Sequence, residues 1–391
     1  MMKPTFQFKL IRSGYLYDPK ERGVKDVLIA GDRIARIGEA IDVSKSLEVS
    51  VFDASGRIVV PGFIDLHVHL LGGGGEAGPA SRVPEISLSK ITEAGITTVV
   101  GVLGTDNIAR SPEALLTKVK ALRAEGLSAY MYTGSYHLPS ATITGSVKRD
   151  IALIEEVVGV KIAISDHRAS QLTVHELARL ASEARFGGML GQKAGLVHVH
   201  LGDGSRGLGP LFEVIEKTEI PIGQFLPTHI SRNPSLLKQG IEFAKRGGGI
   251  DITAPSDSSR WETDLLSISK EFRESGIDLT KITMSSDGNG SMPKFDAKGQ
   301  LIALATGEVA SLRKAFKALV ESDMLPFSDV LRLITSNPAE RLGIADQKGR
   351  IREGADADIL ILDKDLRIKQ VFAKGQLMVD EGEAVVKGTF E

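Results

Sequence analysis

From residue 58 to about residue 290, short apolar runs alternate with amphipathic stretches, the rhythm of repeated strand-helix units around a parallel sheet. Eight runs read as buried strands: Val59–His69, Thr97–Gly101, Ala129–Gly134, Val157–Ser165, Gly195–His200, Pro221–His229, Gly249–Thr253 and Ile282–Asp287. Helix boundaries fall between them. Ser111-Pro112 opens a helix that closes at Gly126, and Thr173-Val174-His175-Glu176 reads as a capping box with Gly187 beyond the stop. Eight such units predict an α/β fold, a (β/α)8 TIM-like barrel. A doubly wound sheet can be built from the same units, but the strands that end in polar, metal-competent residues would then lack the common C-terminal rim on which barrels carry their active sites.

The two ends of the chain follow a different pattern, rich in short strands and tight turns. Val27 to Ile37 reads as two strands around a Gly31-Asp32 turn, and Asp358 to Leu362 is followed by a hairpin-like run through Gly375 and Gly382. Neither end is large enough to bury its own sheet. Residues 1–57 and 345–391 are therefore expected to pair as one smaller β-sandwich domain, with the barrel, residues 58–344, inserted between them.

Composition narrows the function. In 391 residues, 42% hydrophobic content suffices for a large buried core, and a net charge of −2 without long charge blocks argues against nucleic-acid binding. No apolar stretch approaches the roughly 20 residues of a membrane span, and the opening Met1 to Gln7 has no secretory apolar core, so a cytoplasmic protein is expected. The absence of cysteine excludes thiol catalysis and thiolate metal sites, leaving nitrogen and oxygen ligands.

Those ligands have candidates. In Gly62-Phe63-Ile64-Asp65-Leu66-His67-Val68-His69, strand alternation turns both imidazoles to one face, the beginning of a metal site, although such pairs also occur as ordinary polar-face residues. Four further strand-like runs each end in one metal-competent residue: Lys161, His200, His229 and Asp287. Lys161 is a lone ammonium in an apolar run. Burial would lower its pKa and leave a neutral amine able to react with carbon dioxide, giving an anionic carbamate that can bridge two metals. His198 and His200 share a face, so spacing leaves the ligand open, and His200 is favoured as nearer the strand's end.

Around this cluster lie groups suited to an ionic, amino-acid-like substrate. Gly72-Gly73-Gly74-Gly75-Glu76 would hold a carboxylate on a flexible loop over the rim; Arg168 and Arg232 could grip carboxylates in a forked geometry; Tyr136 could donate to a developing oxyanion. A plain glycine linker, surface ion pairs and core packing are their ordinary alternatives. His167 and His175 read as structural or exposed, and His137 is left undecided.

With these residues in view, the chain resembles the amidohydrolase superfamily and, within it, the isoaspartyl (β-aspartyl) dipeptidase family. The broad marks are Pro61-Gly62-Phe63-Ile64-Asp65-Leu66-His67-Val68-His69 and Gly354-Ala355-Asp356-Ala357-Asp358. The narrower ones include Gly72-Gly73-Gly74-Gly75-Glu76-Ala77-Gly78-Pro79, His200-Leu201-Gly202-Asp203, Leu226-Pro227-Thr228-His229, Ser285-Ser286-Asp287-Gly288-Asn289-Gly290-Ser291 and Val386-Lys387-Gly388-Thr389-Phe390-Glu391. The resemblance implies two Zn2+ ions, with Co2+, Mn2+ or Ni2+ able to substitute. His67 and His69 would bind one, His200 and His229 the other; Lys161, carboxylated to N6-carboxylysine, would bridge both, and Asp287 would complete the first. This settles His200 over His198 as ligand.

It further implies that Glu76 meets a substrate ammonium, that Arg168, Arg232 and Ser291 hold carboxylate, that Gly74 and Thr105 contact substrate, and that Tyr136 assists at the scissile carbonyl. The expected activity is hydrolysis of small β-aspartyl dipeptides to aspartate and an amino acid by a metal-bridged hydroxide, with Asp287 moving the proton. A homo-oligomer, by resemblance an octamer, is expected, with no nucleic-acid or membrane partner. The competing readings are a dihydroorotase-like or hydantoinase-like cyclic amidase and a metal-free, non-catalytic scaffold of the same fold.

Overall fold

A computed structural model describes residues 8–44, 47–256, 264–295 and 301–391; the opening residues 1–7 lie outside it. Both chain ends build one nine-stranded sheet. Its first part is β1 (Phe8–Asp18), β2 (Lys20–Ala30), β3 (Arg33–Gly38), β4 (Val49–Asp53) and β5 (Ile58–Pro61). Eight strands follow in the middle of the chain: β6 (Phe63–Val68), β7 (Ile96–Gly101), β8 (Ser128–Gly134), β9 (Val157–Ile164), β10 (Leu196–Leu201), β11 (Phe225–Thr228), β12 (Ile250–Thr253) and β13 (Ile282–Ser285). A hairpin, β14 (Ser291–Phe295) and β15 (Leu301–Thr306), precedes β16 (Ile359–Leu362), β17 (Ile368–Ala373), β18 (Gln376–Asp380) and β19 (Glu383–Ala384), which complete the terminal sheet.

The terminal sheet runs in the order β19-β18-β17-β16-β5-β1-β2-β3, with β4 beside β1. It folds back on itself: Ala357 N–H donates to the carbonyl of Asp32 at the β2–β3 turn, and Gly375 N–H to that of Ala357. Ile11, Val27, Ile29, Val59, Ile361 and Phe372 share the enclosed apolar cluster. Neither chain end supplies that core alone.

The middle strands form a (β/α)8 barrel. β6 to β11 pair in parallel in chain order and β12 pairs with β13. Closure comes at the rim, where Val68 bridges Gly288 and His69 N–H donates to the Gly288 carbonyl at 2.9 Å. Apolar residues pointing out of the strands, such as Val99, Met131, Val197 and Met284, pack under the helices in the main core. Among the described residues, no helix is long and apolar enough to cross a membrane.

Three expected boundaries are corrected. The single strand Val59–His69 is two, because Gly62 N–H donates to Asp358 in the terminal sheet while Phe63 N–H donates to Gly95 in the barrel. The chain changes sheets at a glycine whose added Cβ would lie 2.1 Å from Thr97 Oγ1. Pro221–His229 begins instead with a 3-10 turn, Ile222–Gln224, before the strand Phe225–Thr228. The helix opened by the Thr173 capping box runs on to Gly191. Gly187 does not stop it: a Cβ there would lie 2.8 Å from the Lys148 carbonyl, so the glycine admits the helix Val147–Leu153 at close range. The helix after Ser111 is as expected, spanning Pro112–Ala124 with the Ser111 hydroxyl accepting from Ala114 N–H.

Candidate metal centre

The rim ends of β6, β10, β11 and β13, together with the interior of β9, carry the charged and imidazole groups, and the strand geometry turns them inward. His67 and His69 bracket Asp287: Asp287 Oδ1 lies 3.3 Å from His67 Nε2 and 3.2 Å from His69 Nε2. Lys161 Nζ is 2.9 Å from His67 Nε2. The His67 ring centre is 5.2 Å from that of His229, and the His229 ring is 4.6 Å from that of His200. One expectation is adjusted: Lys161 is interior to β9, not at its end, and its long side chain makes up the height that the shorter imidazoles gain by standing nearer the rim.

His229 and Asp287 both sit in left-handed backbone conformations, φ 64° and 50°, which residues with a Cβ adopt only when their surroundings enforce it. The enforcement comes from beneath. Asp251 on β12 accepts from Thr228 Oγ1 at 2.7 Å and Ser285 Oγ at 2.6 Å, one residue before His229 and two before Asp287. Asp65 accepts from the backbone N–H groups of His67 and Ser286, both at 3.2 Å, tying β6 to the Asp287 loop.

Burial dominates the electrostatics. It depresses the histidine pKa values, with His200 lowered to about 3 despite the pull of Asp166, and His67 and His229 well below the ordinary imidazole value. All three are neutral at pH 7 and can offer a lone pair. Burial likewise brings the Lys161 ammonium down to about 7, so much of it is a free amine near neutrality. For Asp287 burial opposes ionisation, but the His69 hydrogen bond and the electrostatic influence of His69, Lys161 and His200 outweigh it and lower its pKa. Burial raises the Tyr136 hydroxyl far above a normal phenol, keeping it a donor.

The donor set suits a metal. His67, His229 and Asp287 offer ligand atoms all within 4.8 Å of one another, and His229 Nε2 is buried without a hydrogen-bond partner while its Nδ1 engages Thr253 Oγ1 at 2.8 Å. A buried, unpartnered nitrogen is unfavourable unless something occupies its lone pair. His200 is arranged similarly. Its Nε2 faces Asp166 Oδ2 at 3.1 Å, and because a carboxylate only accepts, that nitrogen carries the proton and Nδ1 is free to accept, here from Tyr136 at 2.8 Å. His198 stands below the cluster, its Nε2 2.9 Å from His67 Nδ1 and its ring stacked on Tyr132.

A second group of charges borders the first. Glu76 accepts from Thr105 Oγ1 at 2.7 Å and from Arg168 Nη1 at 3.3 Å, and the Arg168 guanidinium lies 5.4 Å from the Tyr136 ring centre. Arg232 pairs with Asp203 at 3.7 Å and its charge is felt at His200 and His229. The backbone of Ser291 lies against Gly73, whose added Cβ would be 2.8 Å from Ser291 N. Gly74 pairs with Arg82.

The glycine run is not the flexible loop expected. Gly73 N–H donates to Asn289, Val83 N–H donates to Gly73, and the Arg110 guanidinium reaches the carbonyls of Leu71 and Val83. Gly72 is at φ 81° with a virtual Cβ 1.9 Å from the Val83 carbonyl oxygen, so glycine is required for close packing there. Of the other histidines, His137 faces Ser170 Oγ at 3.3 Å, and His167 and His175 are exposed.

Sequence reasoning missed Asp65, Asp166, Asp251 and Thr253. Asp65 could have been found by extending the alternation of His67 and His69 back one step. Asp251 is a lone charge in Gly249–Thr253, the same signal that singled out Lys161. Asp166 and Thr253 carry no signal that spacing makes visible.

Residues 58–378 match the amidohydrolase family. Among solved structures, β-aspartyl dipeptidase from the thermophilic, keratin-degrading Fervidobacterium islandicum AW-1, in complex with β-Asp-Leu dipeptide, superimposes with a TM-score of 0.89 at 43% identity, covering 96% of this chain and 98% of that one. A dihydroorotase of Listeria innocua is 26% identical over 385 residues, 87% of this chain and 85% of its own length. Dihydropyrimidinase from Brevibacillus agri shares the fold at a TM-score of 0.68 and 16% identity, over 97% of this chain and 96% of its own.

Proposed function

Because this chain belongs to the amidohydrolase family, on the branch represented by the β-aspartyl dipeptidases, we propose that it is a metal-dependent dipeptidase hydrolysing β-aspartyl dipeptides to aspartate and an amino acid. The observation that carries this reading is the pair of charges Glu76 and Arg168, with the Thr105 hydroxyl on Glu76, standing beside the buried histidine, lysine and aspartate cluster. A substrate with a free α-ammonium and free carboxylates near its scissile amide would leave none of these charges unpaired; an ordinary peptide interior would.

His67, His69, His200, His229 and Asp287 would hold a pair of divalent cations, zinc being the best match to the nitrogen and oxygen donors. The Lys161 amine would take up carbon dioxide, forming an N–C bond and releasing a proton, to present an anionic bridge. When bound, the cations supply Lewis acidity that makes water nucleophilic near neutrality and polarises the amide carbonyl.

The remaining work falls to side chains. Asp287 takes the proton from the attacking water as the C–O bond forms, then delivers it to the nitrogen as the C–N bond breaks, so that the leaving group departs as a neutral amine. Tyr136, held protonated by burial, donates to the oxygen that gains charge. Glu76 receives the α-ammonium, and Arg168, Arg232 and Ser291 receive carboxylate, with Thr105 and Gly74 bordering the same space.

The cyclic-amide reading draws on the curated dihydroorotase relatives. An assay over β-Asp-Leu, α-Asp-Leu and dihydroorotate, with and without chelator, decides between them. Turnover of β-Asp-Leu alone, lost with chelator, is expected; turnover of dihydroorotate alone would replace the proposal with a cyclic amidase.

A further inference from the structure

Asp166 is almost wholly buried, and its two carboxylate oxygens are shared between both halves of the site. Oδ2 accepts from His200 Nε2 at 3.1 Å and from Arg168 Nη2 at 2.8 Å; Oδ1 accepts from Arg168 Nε at 3.0 Å and from the Arg168 backbone N–H at 2.8 Å. The forked contact leaves Nη1 of Arg168 as the nitrogen directed toward Glu76. We infer that Asp166 is a positioning residue that joins His200 to Arg168, one carboxylate setting both the tautomer of the imidazole and the direction of the guanidinium.

The surrounding backbone is built for this contact. Gly202, in the His200-Leu201-Gly202-Asp203 run, has no side chain where a Cβ would lie 2.5 Å from Asp166 Cβ and 2.5 Å from the Ser165 carbonyl oxygen. Gly204 N–H donates to that same carbonyl at 2.7 Å, and Ser165 Oγ donates to the Gly207 carbonyl at 2.7 Å. The loop after β10 therefore clamps the turn after β9 and holds Asp166 against the strand that carries His200. A hydrogen bond to the far nitrogen of a metal-binding imidazole fixes its orientation and raises its basicity, and losing such a partner typically weakens metal binding about 10- to 100-fold. A forked carboxylate contact likewise holds a guanidinium in one plane, reducing the freedom lost when it grips substrate. Metal loading and substrate binding at this site thus share one support.

The inference rests on the proposed dipeptidase reading only in its substrate half, and the experiment separates the two. Wild-type protein loaded with Zn2+ is first assayed with β-Asp-Leu; no turnover there refutes the proposed function and leaves the metal arm to decide on Asp166. In the metal arm, apo wild type and Asp166→Asn are dialysed against Zn2+. The variant is expected to hold one ion as wild type does and the other about 10- to 100-fold more weakly. In the substrate arm, at saturating Zn2+, Asp166→Asn is expected to raise KM for β-Asp-Leu about tenfold or more, and to raise it far less in an Arg168→Met background. Wild-type affinity for both ions in the variant overturns the inference, as does a KM effect that is unchanged in the Arg168→Met background. If Asp166→Asn does not fold, Asp166→Ser, which removes the carboxylate without adding volume beside Gly202, is read in its place.

Discussion

Asp251 lies beneath the candidate metal centre and accepts from three hydroxyls: Thr228 Oγ1 at 2.7 Å, Thr283 Oγ1 at 2.6 Å and Ser285 Oγ at 2.6 Å. Asp251→Ala strips the acceptor from all of them. Thr283 keeps a longer contact to the Ile250 carbonyl at 3.4 Å, which leaves the hydroxyls of Thr228 and Ser285 to lose their partner outright. At about 1–3 kcal/mol for each buried donor left unpaired, the variant should lose about 2–6 kcal/mol, a large share of a typical folding free energy of roughly 5–15 kcal/mol.

The loss depends on pH with a definite sign. Burial raises the Asp251 carboxyl from its ordinary 3.8 to about 6, against the pull of its hydroxyl donors. The folded state therefore binds this proton more tightly than the unfolded one. The Asp251 contribution is whole below the unfolded value and declines as pH rises through about 6, and a shift of about two units corresponds to about 3 kcal/mol. The alanine variant lacks this titration, so its deficit relative to wild type should narrow by about 2 kcal/mol between pH 4.5 and pH 8. Urea unfolding followed by circular dichroism at both pH values, with chelator present throughout so that metal binding does not enter, measures the two gaps. Equal midpoints at pH 4.5, or a gap that widens toward pH 8, would refute the reasoning.

Four further outcomes test the site. Asp287→Asn should reduce turnover of β-Asp-Leu by about a hundredfold or more, in line with loss of a general base, while elemental analysis still finds most of the metal; near-normal kcat would remove Asp287 from proton transfer. Glu76→Gln should chiefly raise KM for substrates with a free α-ammonium, and an unchanged preference for β-Asp-Leu over its N-acetylated form would end that assignment. Gly72→Ala forces a Cβ to 1.9 Å from the Val83 carbonyl oxygen at φ 81° and should destabilise by more than the roughly 1–2 kcal/mol of a left-handed alanine, read as a fall in Tm. Chelation should abolish activity and lower Tm, and Zn2+ with bicarbonate should restore both more fully than Zn2+ in buffer stripped of carbon dioxide if Lys161 is carboxylated.

Much of this architecture is legible in one dimension because the signals are local. Alternation marked the barrel strands to within a few residues, and the Ser111 cap and the Thr173–Glu176 capping box are hydrogen bonds between near neighbours in the chain. The inward face shared by His67 and His69 follows from the period of a strand alone. What local signals missed is where the backbone serves something distant. Gly62 marks a change of sheet inside one apolar run, and Gly187 reads as a helix stop until the helix packed against it is seen. The glycine run before Glu76 reads as a linker until Asn289, Val83 and Arg110 are found bonded to it.

Residue type, spacing and periodicity are properties of the chain before it folds, and they are enough to specify the strand-helix order, the division into a barrel and a terminal sheet, and the ligand chemistry on offer. Partners brought together across many residues are another matter. Asp166 finds His200 34 positions away, Asp65 meets Ser286 across 221, and His198 reaches His67 across 131, so their hydrogen bonds exist only once the barrel has closed. Whether a histidine offers its lone pair to a metal, or a lysine loses its proton, is settled by burial and by those remote neighbours. That is why the elements could be read from the sequence, but the tautomers, the depressed pKa values and the support for Arg168 belong to the folded molecule.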